Sequence, residues 1–179
     1  FENNKFDIII NSAAYTRVDS AEQEPELVYQ INCLAVKQMA TIASKQQTRL
    51  IHISTDYVFD GESNRPYLET DTPNPINVYG RTKLAGEQAL QTIMPTNALI
   101  IRTSWVYSEY DNNFVSTMLK LGKERDEISV VIDQMGSPTY ATNLAEMILT
   151  IIKSKTFNEV SQATEIYHYS NDGEISWYD

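Results

Sequence analysis

Asp7-Ile8-Ile9-Ile10-Asn11 is a short, continuous run of β-branched apolar residues without polar alternation. Such a run is expected of a strand covered on both faces, as in a parallel sheet, and not of a half-solvated antiparallel one. Downstream of it, Pro25 to Gln46 has helical periodicity. Pro25 suits a first turn, and Val28, Ile31, Ala35, Met39 and Ile42 fall on one stripe. Arg49 to Ser54 returns to strand. A long loop follows, with Asp60-Gly61 and Pro66, Pro73 and Pro75, and the prolines bar regular structure through most of it. Asn77 to Met94 reads as a second helix and Ala98-Leu99-Ile100-Ile101 as a third buried strand. Helices near Asn113 to Arg125 and Ala141 to Ile152 flank a strand expected at Ile128 to Ile132, and Ile166 to Tyr169 is read as a last strand. Strands alternating with helices predict right-handed crossovers and an α/β fold with a doubly wound parallel sheet.

At 179 residues, 42% of them hydrophobic, the chain fits one globular domain. Its net charge of −10 would repel a nucleic-acid backbone or an anionic membrane surface. Cys33 is the sole cysteine, which excludes an internal disulfide and predicts a reducing, cytoplasmic setting. His52 and His168 lack ligand-like companions at short spacing, so no metal site is expected. His52 within its strand is read as a hydrogen-bonded core residue, and Cys33 as an inert buried thiol.

In doubly wound sheets, ligands bind outside the carboxyl ends of the strands. Those ends read Asn11-Ser12-Ala13-Ala14, Ser54-Thr55-Asp56 and Arg102-Thr103-Ser104-Trp105. Tyr79 and Lys83 lie one helical turn apart, at the edge of a stripe of Val78, Thr82, Ala85, Ala89 and Ile93. The pair is expected at the rim of that helix, facing the strand ends. An ammonium beside a phenol favours phenolate and would draw the tyrosine pKa down from about 10. Thr55 adds a hydroxyl able to steady a carbonyl oxygen. Together these are the groups a carbonyl reductase needs, with Tyr79 as proton donor to the ketone oxygen. Taken singly, a Tyr-x-x-x-Lys spacing describes a solvated helix face as readily as a site. Asn32 falls in the apolar stripe of its own helix, where an amide must be hydrogen-bonded, whether it pins a loop or serves the chemistry.

A longer set of segments carries a family likeness: Asn11-Ser12-Ala13-Ala14-Tyr15-Thr16, Ser54-Thr55-Asp56-Tyr57-Val58-Phe59-Asp60-Gly61, Asn77-Val78-Tyr79-Gly80, Thr82-Lys83-Leu84-Ala85-Gly86-Glu87, Arg102-Thr103-Ser104-Trp105-Val106-Tyr107, and Asp133-Gln134 with Gly136, Pro138 and Thr139. They run in order along nearly the whole chain, which resembles the extended short-chain dehydrogenase/reductase family. The resemblance implies an NAD(P)-binding Rossmann fold and NADPH-dependent reduction of the C4 ketone of dTDP-4-dehydro-L-rhamnose to dTDP-L-rhamnose. NADH is the alternative hydride donor, and magnesium use is not written in these residues. Thr55, Tyr79 and Lys83 would be the catalytic set, with Asn32 completing a proton relay. Lys83 would also hold the nicotinamide ribose, and Ala13, Ala14 and Thr16 would lie along the cofactor. Asp56, Tyr57 and Trp105 would face the nucleotide-sugar.

Trp105 has an equal claim as a packing residue. Lys83 and Arg102 are the cations expected to offset a pyrophosphate locally. The same likeness implies substrate-region portions near 56–76, 105–127 and 155–179. It also marks the chain as a fragment without the N-terminal glycine-rich segment and the C-terminal end, expected to be inactive alone. A nucleotide-sugar epimerase or dehydratase would share the tyrosine and lysine, but Tyr57 stands where a dehydratase needs a glutamate. A non-catalytic regulatory subunit would keep the fold without turnover, and a homodimer is an assembly the fold allows.

Overall fold

The structure, a computed structural model, describes residues 4–110, 112–158 and 163–179. Parts of the 105–127 and 155–179 stretches therefore lie outside the described residues. The chain divides into two compact units, Phe1–Arg102 with Asn158–His168, and Thr103–Phe157 with Tyr169–Asp179.

The first unit is built on a four-stranded sheet of β1 (Ile8–Asn11), β2 (Arg49–Thr55), β3 (Ala98–Thr103) and β4 (Glu165–His168), in that spatial order. β1 runs parallel to β2 with Asn11 opposite His52. β3 runs parallel to β4 with Arg102 opposite His168. Of the runs read as doubly covered strands, β3 is buried along its whole length, whereas β1, at the sheet edge, leaves Ile8 half-buried and Ile10 44% exposed. Ile9, Leu50 and Ile100 meet Val36, Ala40 and Ala43 of one helix and Leu90 of another in a single apolar cluster. Burying each of these aliphatic side chains contributes roughly 1.5–3 kcal/mol before chain entropy is counted.

The expected helix from Pro25 to Gln46 is present but not uniform. An α-helical start, Pro25–Tyr29, passes through a π turn, Gln30–Leu34, into a second α-helical stretch, Ala35–Gln46. A π turn adds one residue to the spiral. The buried stripe accordingly runs through Val28, Asn32, Val36, Ala40 and Ala43. Beyond Val28, each of these lies one position after its counterpart in the stripe read from sequence. Ile31, Ala35, Met39 and Ile42 are only half-buried.

The helix Val78–Ile93 also buries a face different from the expected stripe: Tyr79, Thr82, Lys83, Gly86, Glu87 and Leu90. Its start is fixed by Asn77, whose side chain accepts from the Gly80 N–H at 2.7 Å, and by Glu22, whose carboxylate accepts from the Val78 N–H at 2.7 Å. Two glycines let its backbone come close to its neighbours. A Cβ on Gly80 would strike the Tyr57 carbonyl oxygen, and one on Gly86 the Asn32 carbonyl oxygen. Glu87 is 1% exposed and meets Arg102 side-on: Arg102 Nε donates to Oε1 at 3.0 Å and Nη2 to Oε2 at 2.7 Å. The guanidinium also lies over the Phe59 ring, 5.2 Å from its centroid.

The second unit holds the helices Phe114–Glu124 and Ala141–Lys153 and two small strand pairs. Val106–Tyr107 runs parallel to Thr139–Tyr140, and Met135–Gly136 antiparallel to Ile175–Ser176. A reciprocal Asn113–Ser116 capping box opens the first of these helices. The strand expected at Ile128 to Ile132 is absent: that run is irregular, and Val131 and Ile132 are 51% and 65% exposed. A β-prone run still needs a pairing partner, and in this unit the pairing is taken by shorter segments on either side of Pro138.

Gly86→Ala is expected to lower unfolding stability by about 1–3 kcal/mol in denaturant titrations, because its methyl group meets rigid backbone. Arg102→Met, which strands the Glu87 carboxylate, is expected to cost about 3–5 kcal/mol, and the double variant with Glu87→Met to recover most of that.

Candidate active site

β2 ends on Thr55, which stays extended (φ −142°, ψ 155°) and caps the single 3-10 turn Asp56–Val58. Its hydroxyl oxygen accepts from the Tyr57 N–H at 3.2 Å, and its proton is donated to Asp56 Oδ1 at 3.1 Å. The Tyr79 phenol lies near enough to that hydroxyl for it to hold the phenol pKa down against burial. The Tyr57 ring stands edge-on to the Tyr79 ring, with centroids 5.5 Å apart and planes at 76°. Gly80, pressed against the Tyr57 carbonyl, lets the first turn of the helix reach the strand end this closely. Thr55, Asp56, Tyr57 and Tyr79 thus form one contiguous group.

Tyr79 and Lys83 are not at a rim but inside, 8% and 2% exposed. Burial changes their electrostatics from what spacing alone suggests. The Tyr79 phenol is pushed up to about 12 by burial, with the negative charge of Asp56 adding to the rise and the Thr55 hydroxyl opposing it. The expected acidification by the lysine does not occur, because the Lys83 ammonium turns to the Ile53 carbonyl of β2, donating at 2.7 Å. Burial draws Lys83 itself down to about 8, against the attraction of Glu87. Asp56 is pushed up to about 6 by burial, held back by the Thr55 hydroxyl and the backbone N–H groups of its turn. At neutral pH the site therefore holds a protonated phenol and a mostly charged lysine.

Asn32, buried within the π turn on the inner face of its helix, is hydrogen-bonded on both sides of its amide. Its oxygen accepts from Tyr15 N–H at 2.8 Å, and its nitrogen donates to the Tyr15 carbonyl at 3.1 Å and to Thr82 Oγ1 at 3.4 Å. Its side chain therefore clamps the loop that leaves β1. Along that loop Ala13 and Thr16 are exposed and Ala14 half-buried, and Ala13 N–H donates to Asn11 Oδ1 at 3.2 Å. Small side chains on a backbone held from beneath form a ledge at the carboxyl end of β1, the place and shape that suit the flat half of a dinucleotide.

Trp105 lies in the second unit, with neighbours of its own. Its indole stacks on Trp177 with centroids 3.8 Å apart, and Phe114 packs against Trp177 at 4.3 Å. Its backbone is left-handed, φ 45°, unusual for a bulky residue. Arg102, expected as a cleft cation, is 3% exposed and committed to Glu87. Sequence reading missed Glu87 itself. The signal was available: Glu87 follows Lys83 by one turn and Tyr79 by two, so the three share a face. His52 is only half satisfied. Its Nδ1 meets the Asn11 amide at 3.0 Å, while buried Nε2 has no partner, and burial with the nearby Lys83 charge keeps the ring neutral. Among the described residues no cluster of three or more His, Cys, Asp or Glu side chains is placed to hold a metal ion.

Comparison with known proteins gives this geometry a family. A dTDP-4-dehydrorhamnose reductase of Escherichia coli (strain K12) is 49% identical over 173 residues, covering 97% of this chain and 57% of the relative. The dTDP-4-dehydrorhamnose reductase of Aggregatibacter actinomycetemcomitans is 44% identical over 175 residues, covering 98% and 59%. The crystal structure of dTDP-4-dehydrorhamnose reductase from Bacillus anthracis str. Ames in complex with NADP superposes with a TM-score of 0.87 at 46% identity, covering 96% of this chain and 59% of that one. The α/β fold with a parallel sheet is thus shared with solved reductases, while the chain spans less than three fifths of the length of these relatives. The family described as RmlD substrate binding domain matches residues 1–179, and the chain belongs to that family.

Proposed function

We propose that the protein reduces the C4 ketone of dTDP-4-dehydro-L-rhamnose to dTDP-L-rhamnose with NADPH. The observation that carries this reading is the buried Tyr79 phenol, edge-on to the Tyr57 ring and within the influence of the Thr55 hydroxyl at the carboxyl end of β2. Two hydroxyls converging at a strand end provide one proton donor and one steadying group for a single substrate oxygen. The reductase relatives at 44% and 49% identity support the choice of substrate, and the NADP complex of the Bacillus anthracis relative supports the cofactor.

Each residue takes a role from its surroundings. Tyr79, kept protonated by burial, is the general acid that gives its proton to the C4 oxygen. Thr55 orients that oxygen. Lys83 supplies a positive charge from below, anchored on Ile53, and is assigned to the nicotinamide ribose. Ala13, Ala14 and Thr16 line the ledge along which the cofactor would lie, and Asn32 enters the set by holding that ledge through Tyr15. The bound nicotinamide would supply the hydride for C4. Asp56, Tyr57 and Trp105 are assigned to the nucleotide-sugar, with the indole offering a flat apolar face for a sugar ring. A cytoplasmic setting belongs to the proposal, since Cys33 is a free, buried thiol and the sole cysteine.

In the full-length protein, Tyr79→Phe is expected to reduce ketosugar-dependent NADPH oxidation by about 100-fold or more, read as the loss of absorbance of the reduced nicotinamide. A variant as fast as the parent would remove Tyr79 from its role.

The pH profile gives a second check. Lys83 is charged below its folded value of about 8 and neutral above it, so the reductive rate is expected to fall above pH 8, well before the phenol ionises. The contribution of Lys83 to stability has the opposite sign. Between about 8 and its ordinary value of 10.5 the unfolded chain binds the extra proton, so this group favours the folded state increasingly as pH rises. A falling rate that tracked unfolding in a thermal melt would contradict the assignment.

A further inference from the structure

Resting on the cofactor ledge assigned above to Ala13, Ala14 and Thr16, we propose that His52 is a positioning residue for NADPH. Through the Asn11 side chain it fixes the start of that ledge before the dinucleotide arrives.

Two hydrogen bonds join the ring to the ledge. Asn11 and His52 stand opposite each other on the paired strands β1 and β2. The Asn11 amide nitrogen lies 3.0 Å from His52 Nδ1, and the Asn11 amide oxygen accepts from the Ala13 N–H at 3.2 Å. Donors and acceptors along this line have one consistent assignment. A backbone N–H can only donate, so the end of the amide that faces Ala13 is the oxygen and the end that faces the ring is the NH2 group. His52 Nδ1 must then accept, which puts the proton of the neutral ring on Nε2. Turning the amide over would set two donors against each other at Ala13.

The sheet itself has no need of this ring. Leu50, two residues earlier on the same face of β2, fills its place with hydrocarbon and is as fully buried as His52. An imidazole there costs desolvation, and its Nε2 has no hydrogen-bond partner among the described residues. What the ring supplies in return is an acceptor at the one place that orients Asn11. Burial and the neighbouring Lys83 charge keep the ring neutral, so the Nδ1 lone pair is available to the amide.

The ledge is thereby pinned twice, at Ala13 by Asn11 and at Tyr15 by Asn32, with Ala14 between the two clamps. Residues 12–17 belong to no helix or strand, so these side-chain contacts do the work that a ladder would do elsewhere. The next residue of β2, Ile53, offers its carbonyl to Lys83. Consecutive residues of one strand thus hold the ledge and the lysine assigned to the nicotinamide ribose. A segment ordered beforehand loses less conformational freedom when a ligand settles on it, so the contribution of His52 falls on cofactor affinity and not on the chemical step.

The test is NADPH binding to the full-length protein, followed by the fluorescence of the reduced nicotinamide, with KM for NADPH and for dTDP-4-dehydro-L-rhamnose measured in parallel. His52→Leu removes the acceptor and keeps the space filled. Its Kd and KM for NADPH are expected to rise about 5-fold, with kcat and the ketosugar KM nearly unchanged. His52→Asn, whose side-chain oxygen takes the place of Nδ1, should regain most of the lost affinity. A leucine variant that binds NADPH as the parent does, a loss of kcat with both KM values intact, or an asparagine variant as weak as leucine overturns the proposal. Should His52→Leu not fold, the parent protein itself is read by NMR of the histidine ring nitrogens. The Nε2–H tautomer is expected, and the Nδ1–H form would break the chain to Ala13. Ala13→Glu, measured alongside, separates the two levels, because a carboxylate on the ledge should obstruct the dinucleotide. If it weakens NADPH binding while His52→Leu matches the parent, the ledge stands and only the role of His52 is lost. If it binds NADPH unchanged, the ledge is lost and the role of His52 with it.

Discussion

The burial of a polar helix face governs this protein. Tyr79, Thr82, Lys83 and Glu87 all lie on the inner side of one helix, where apolar residues would ordinarily pack, and each is tolerated only because a specific partner meets it. Lys83 has the Ile53 carbonyl, Glu87 has Arg102, Thr82 has the Asn32 amide and the Tyr79 carbonyl, and Tyr79 has the Tyr57 ring edge-on with the Thr55 hydroxyl acting on its phenol. Removing water from this face turns weak contacts into strongly directional ones. Fold and chemistry therefore share the same bonds, and the strand ends cannot shift without breaking both.

That dependence accounts for the electrostatics. In water, a lysine one turn from a tyrosine would favour phenolate. In this interior, desolvation acts on each group separately and raises the phenol while lowering the amine. The lysine charge is spent on a backbone carbonyl, and the nearest ionisable neighbour of the phenol on the strand side is a carboxyl. A buried acid that stays protonated is well suited to giving a proton to a ketone, and less suited to removing one from an alcohol.

Much of this was legible in the sequence, for physical reasons that can be named. Strand-like apolar runs located β1, β2 and β3, and β3, covered on both faces, shows no alternation of buried and exposed residues, while β1 at the edge exposes Ile10. The helix from Asn77 was bounded by a capping asparagine and began within a residue of the expected position. What could not be read depends on contacts between distant segments. The stripe of the first helix slipped by one residue at Gln30–Leu34, since a π turn leaves no periodic trace in composition. The run at Ile128 to Ile132 has strand chemistry but no strand beside it. The buried face of the Tyr79 helix has no apolar signature in the sequence, because this face is largely polar. Arg102 reads as a cleft cation from sequence because its carboxylate partner, fifteen residues earlier, announces itself only when helix and strand are packed.

The π turn has a wider consequence. By inserting one residue it rotates everything before it by about 100° relative to everything after it. The turn lies where Asn32, an amide, sits in the heart of the helix interface between buried Val28 and Val36. The two halves of the helix are thus independent in heading. The rear half answers to the apolar interior of the sheet, and the front half answers to the loop that leaves β1. A deletion of one residue there would produce a more regular helix, with the amide turned away from the backbone it now grips.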